Sequence, residues 1–164
     1  MRQDLRHDVD KPDACLIREF DALRPRTRCG NSVFVSAPER SAAPVVLVVE
    51  DEWEILDIVR EILSADGFDV RSAAHGRDAL AVLEREDRVD LVLTDLMMPV
   101  MDGFELVRAM STHQRFNAIP VMVMTAATPD TDGLRDLKVY RVLRKPLRVD
   151  SLLAEVHDAT ARNA

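Results

Sequence analysis

The sequence predicts a parallel α/β sheet, and three observations carry that prediction. From Pro44 to the C-terminus, short apolar runs alternate with helical patterns, which is the signature of βαβ units. The runs at 45–49 and 91–94 are nearly continuous, as in strands buried on both faces, not alternating as in half-exposed ones. Each then ends on acid: Glu50 and Asp51 after the first, Asp95 after the second. In an open α/β sheet the ligand crevice lies beyond the carboxyl ends of the strands, so these three carboxylates can converge on one point. They would repel there by about 4 kcal/mol per pair at 4 Å and an effective dielectric near 20, so something positive belongs among them.

The elements follow in order. A strand at 45–49 precedes a helix at 53–65, where Ile55, Ile58, Val59 and Ile62 keep the 3 and 4 spacing of one buried face. Gly67 stands where a helix stops. A second strand is expected at 68–72, a helix at 76–85 with Leu80, Val82 and Leu83 apolar, and a third strand at 90–94. A helix at 104–112, strands at 121–124 and 139–143, and a last helix at 149–161 complete the pattern. Between Thr125 and Val139 only Leu134 and Leu137 can anchor a helix, so any helix there is short. Residues 1–43 lack sustained periodicity; a short helix could form near 12–23, followed by linker-like sequence. They read as a mostly disordered or weakly helical extension ahead of one domain at 44–164.

Composition narrows the function. Apolar residues make up 47% and charged residues 31%, an ordinary soluble globular balance. The first 43 residues carry eight Lys and Arg against seven Asp and Glu, which leaves fourteen against twenty-two for the remainder. A domain that acidic is a poor match for nucleic acid, which demands a basic patch. No stretch has the length of a membrane span and no signal-peptide core is present, so a cytoplasmic protein is expected. Cys15 and Cys29 are too few for a disulfide framework or a four-ligand zinc site.

Strand ends supply two more polar groups, Thr125 after 121–124 and Lys145 after 139–143. Carboxylates, a hydroxyl and an ammonium, without cysteine or histidine, suit oxygen-rich magnesium coordination and not zinc. With magnesium bridging the carboxylates to an incoming phosphoryl oxygen, Asp95 can act as nucleophile and become an aspartyl phosphate. Lys145 and Thr125 are then placed to hold the equatorial oxygens. The methionines at 97, 98, 101, 122 and 124 read as core filler, because thioethers are soft and magnesium is hard. His75, His113 and His157 read as surface residues, and Trp53 as a packing residue close enough to report on the site.

These residues add up to a resemblance. The run Val48-Val49-Glu50-Asp51-Glu52, the segment from Asp95 through Met97, Pro99, Asp102 and Gly103 to Leu106, the pair Thr125-Ala126 and the pair Lys145-Pro146 resemble the receiver domain of two-component response regulators. The resemblance covers Pro44 to the C-terminus. It implies a doubly wound, flavodoxin-like five-stranded parallel sheet of order 2-1-3-4-5 with helices on both faces. It implies Asp95 as phosphoacceptor, and Glu50, Asp51, Asp95 and the main-chain carbonyl of Met97 as the Mg2+ site. Thr125, Ala126 and Lys145 are implied for phosphoryl binding and switching, with a cis bond between Lys145 and Pro146. A sensor histidine kinase or phosphotransfer protein is the implied donor, and an unidentified downstream protein the partner.

Two departures stand out. Where the family carries Tyr or Phe three residues before the lysine, this chain has Val142. Tyr140 should point to the same face of the strand, as a displaced switch aromatic or as a packing residue at the core or rim. The interval from Thr125 to Lys145 also looks short. With no residues after the last helix for an output domain, a stand-alone receiver is expected. Phosphorylation-independent binding, as a pseudo-receiver, is one alternative. A magnesium-dependent phosphohydrolase is the other, and it lacks its acid–base Asp because Met97 occupies that position. Neither Met97 nor Ala127 offers a side-chain group to position water, so slow self-dephosphorylation is expected.

Overall fold

The computed structural model describes residues 43–126 and 137–162. The expectations for the extension, for Cys15 and Cys29, for Ala127 and for most of the interval after Thr125 lie outside the described residues. Within them the chain forms β1 (Val45–Val49), α1 (Trp53–Ala65), β2 (Asp69–Ala73), α2 (Gly76–Arg85), β3 (Leu91–Asp95), α3 (Gly103–Thr112), β4 (Val121–Thr125), β5 (Arg141–Arg144) and α4 (Val149–Ala161). The five strands are parallel and lie in the order β2-β1-β3-β4-β5, as the resemblance implies.

Continuous apolar strands allow both faces to be covered. Leu47, Val49, Val92 and Val121 face α2 and α3, which contribute Ala79, Leu83, Leu106 and Met110. Val46, Val48, Leu93, Met122 and Met124 face α1 and α4, which contribute Val59, Leu63, Leu152 and Val156. Burying one such aliphatic side chain is worth roughly 1.5–3 kcal/mol, so apolar burial is the main force holding a helical layer on each face of the sheet.

Local chemistry sets the element ends. Gly67, at φ +97°, ends α1 in a Schellman cap: its N–H donates to the Ser64 carbonyl (3.2 Å) and Phe68 N–H to the Leu63 carbonyl (3.1 Å). The cap uses Phe68, so β2 begins at Asp69, one residue later than expected. α3 opens on a reciprocal capping box between Asp102 and Glu105. β3 and β4 run one residue further than their apolar runs, to Asp95 and Thr125. β5 starts at Arg141, two residues late, because Val139 N–H turns back to the Leu137 carbonyl (2.8 Å).

Candidate functional site: an acidic pocket at the strand ends

The crossovers of a parallel sheet put every strand's carboxyl end on one edge. Glu50 follows β1, Asp95 ends β3, Thr125 ends β4 and Lys145 follows β5. One carboxylate oxygen from each of Glu50, Asp51 and Asp95 lies within 4.8 Å of the other two. Glu50 and Thr125 are fully buried, Asp95 nearly so, and Asp51 is exposed at the mouth. The Lys145–Pro146 bond is cis, as expected.

Lys145 is the positive group that the converging acids require. Its Nζ donates to Glu50 Oε2 at 2.7 Å and to Asp95 Oδ2 at 2.8 Å, and its backbone N–H donates to the Thr125 carbonyl at 3.0 Å. The other Asp95 oxygen, Oδ1, accepts the Leu96 N–H at 2.6 Å. Glu50 Oε1 is buried with no hydrogen-bond partner. Burial pushes the Glu50 carboxyl above the ordinary range; Lys145 and, more weakly, the Glu52 backbone N–H pull it back only in part, and Asp95 adds to the rise. For Lys145, burial lowers the pKa, but its hydrogen bonds to Asp95 and Glu50 more than offset that and leave it raised. One ammonium among three carboxylates leaves two negative charges in excess.

The loop between β3 and α3 is held by two glycines: Gly103, already part of the motif that carries the resemblance, and Gly76, which the sequence offers only as the start of a helix. A Cβ on Gly103 would sit 2.2 Å from the Asp95 carbonyl oxygen, and the Gly103 N–H donates to the Leu96 carbonyl at 3.0 Å. A Cβ on Gly76, the first residue of α2, would sit 2.7 Å from Met101 Cγ. Between them Val100 has φ +69°, and Met101 N–H bonds to the Pro99 carbonyl at 2.8 Å, a γ-turn of the rare positive-φ kind. The available signal was that each glycine opens a helix, where its low propensity calls for a packing reason.

Three expectations change, those for Met97, Tyr140 and Trp53, the last of which is 71% exposed and so is not a packing residue. Met98, Met122 and Met124 are core residues, but Met97 is 68% exposed, so it is not filler. Tyr140 does not share a face with Val142. It lies ahead of β5, where strand alternation has not begun, and packs toward α1 and α4, whereas Val142 packs with Leu96 and Val123. Its hydroxyl donates to Asp158 of α4, which raises the Tyr140 pKa and lowers that of Asp158. The histidines sit at the surface, as expected, and have structural partners: His75 caps α2, His113 stacks on Phe116 and His157 contacts Asp66 and Phe68.

Residues 46–157 match the response regulator receiver domain. The chain belongs to that family. The receiver is 34% identical over 113 residues to the transcriptional regulatory protein GltR of Pseudomonas aeruginosa, covering 68% of this chain and 46% of GltR. It is 34% identical over 121 residues to the transcriptional regulatory protein GlrR of Escherichia coli, covering 73% of this chain and 27% of GlrR. Among solved structures, the chemotaxis response regulator CheY4 of Vibrio cholerae matches with a TM-score of 0.66 and 30% identity, over 71% of this chain and 98% of that one. The chain thus spans less than half the length of GltR and GlrR. The remaining length of those two regulators lies outside the match, so the similarity does not show the stand-alone arrangement expected from the sequence. A receiver is a signalling phosphoacceptor of two-component systems, not a catalytic enzyme. No helix among the described residues is long and apolar enough to cross a membrane.

Proposed function

We propose that this receiver accepts a phosphoryl group on Asp95 from a phosphohistidine of a sensor histidine kinase or phosphotransfer protein, with Mg2+ as cofactor. It would act in the cytoplasm and signal through a partner protein. One observation carries the reading: Lys145 neutralises only one of three converging carboxylates, and Glu50 keeps a buried oxygen with no partner. The surplus equals the charge of one divalent cation, and an all-oxygen donor set suits a hard one. Glu50, Asp51, Asp95 and the Met97 carbonyl would hold it. Bound there, Mg2+ would withdraw charge from the transferring phosphoryl group.

The chain's own residues do the rest. An Asp95 carboxylate oxygen attacks phosphorus, and the O–P bond forms as the P–N bond to the donor imidazole breaks, with the electron pair leaving on that nitrogen. The Lys145 ammonium, already on Asp95, moves its bonds to the developing phosphoryl oxygens, and the Thr125 hydroxyl donates to another. Ala126, small and exposed, leaves the approach open. The phosphohydrolase alternative gains no support, because Met97 stands at the position where that chemistry needs an acid.

Intact-mass measurement after incubation with acetyl phosphate tests the reading. A single Mg2+-dependent phosphoryl adduct on the wild type, absent from Asp95→Asn, is expected; an adduct that survives in Asp95→Asn would sink it. A second reading, binding without phosphorylation, is favoured by Val142 and by the engagement of Tyr140 with Asp158. A partner complex unchanged by Asp95→Asn would favour that alternative.

A further inference from the structure

We infer that Gly76 and Met101 are positioning residues for the metal site, holding the Met97 segment in place from the first turn of α2. The inference rests on the proposed Mg2+ site and extends it to an element that contributes no ligand.

The loop that carries Met97 is pinned at both ends and at its middle. Next to α3, Gly103 packs against the Asp95 and Leu96 backbone, where an added Cβ would lie 2.2 Å from the Asp95 carbonyl oxygen, and its N–H holds the Leu96 carbonyl at 3.0 Å. At the α2 side, Gly76 N–H donates to the Met101 carbonyl at 3.0 Å, and the Met101 side chain fills the space where a Gly76 Cβ would be. Met98 is buried in the same core as Ala79 and Val82 of α2, so the loop meets that helix at two points. Between these anchors the chain is stiff. Pro99 has a fixed φ, and Val100, a β-branched residue, is held at φ +69°, a strained conformation that persists only where its surroundings impose it. Because Gly103 is tied to Leu96 at the other end of the loop, a displacement of Met101 by α2 is passed back along it to Met97. By linkage, cation binding at the Met97 carbonyl is felt at the Gly76 amide.

The test measures Mg2+ dissociation constants by isothermal titration calorimetry on wild type, Gly76→Ala and the double variant Gly76→Ala/Met101→Ala, with urea unfolding to establish that each is folded. Gly76→Ala is expected to weaken Mg2+ about tenfold, the low end for residues that orient a metal ligand. The double variant removes the side-chain part of that crowding and leaves the Met101 carbonyl oxygen 3.0 Å from the new methyl, so it should recover part of the loss and bind Mg2+ more tightly than Gly76→Ala. Mg2+ should also shift the Gly76 amide resonance in the wild type. A Gly76→Ala protein that is only less stable, or a double variant that binds no more tightly than Gly76→Ala, overturns the inference. Should Gly76→Ala not fold, Met101→Gly adds no atom and takes its place with the same expected loss, and an unchanged constant overturns the inference equally. If wild type binds no Mg2+, or Asp51→Asn binds it as tightly, the metal site itself fails and this inference with it.

Discussion

The two ends of the sheet each bury a carboxylate, and they treat it in opposite ways. At the amino end, Asp90 is 3% exposed; its Oδ2 accepts the Val45 N–H at 2.8 Å and its Oδ1 the Arg88 Nε–H at 2.8 Å. Both oxygens are occupied by groups from its own neighbourhood, and β1 and β3 are clasped together. At the carboxyl end, Glu50 is equally buried, shares one ammonium with Asp95 and keeps an oxygen without a partner. The contrast separates structural from functional acids. A saturated carboxylate stabilises what is already there, and an under-satisfied one is held ready for something that arrives.

The largest expected effect that would break the contrast is at Lys145. Lys145→Met leaves the buried carboxylates without their cation and should cost about 3 kcal/mol in Mg2+-free urea unfolding, the low end for breaking a buried pair. Added Mg2+ should restore part of it. A loss under about 1 kcal/mol would show that the acids tolerate one another by taking up a proton, and the surplus-charge argument would fall.

Asp90→Ala should come next, at about 2 kcal/mol, because the Val45 N–H loses a buried acceptor. Its Mg2+ affinity and phosphoryl yield should match wild type; a change in either would mean that the two ends of the sheet are coupled.

Glu50→Gln should have the smallest effect and the opposite sign. A carboxyl whose folded pKa is raised supports the fold in its protonated form. That support is fully present below the unfolded value near 4.5 and is lost as pH rises through the folded one. Neutralising Glu50 should therefore raise Mg2+-free stability at pH 7, by less than Asp90→Ala lowers it, while weakening Mg2+ binding. The wild type should lose stability relative to Glu50→Gln as pH climbs above 4.5, and saturating Mg2+ should remove the difference. Equal stability of the two proteins across that range would place the strain elsewhere.

Sequence and structure agree most closely where the signal is local. α1, α2 and α4 have their expected bounds, since apolar spacing and Gly67 act within a few turns. Asp95, Asp51, Glu50, Thr125 and Lys145 were legible because each stands where an apolar run stops. Tyr140 was misplaced because an alternation argument assumes a strand, and β5 had not yet begun. Met97 was misassigned because composition cannot distinguish a buried methionine from one raised on a loop.

Local sequence by itself determined the class of fold, the succession of its elements and the residue types at the strand ends, because periodicity and capping involve residues a few positions apart. Only the tertiary structure decided that Lys145 reaches Glu50 across 95 positions, that one Glu50 oxygen lacks a partner, and that α2 touches the loop carrying Met97. Those facts depend on through-space distances that crossovers and strand register create, and no local pattern encodes them.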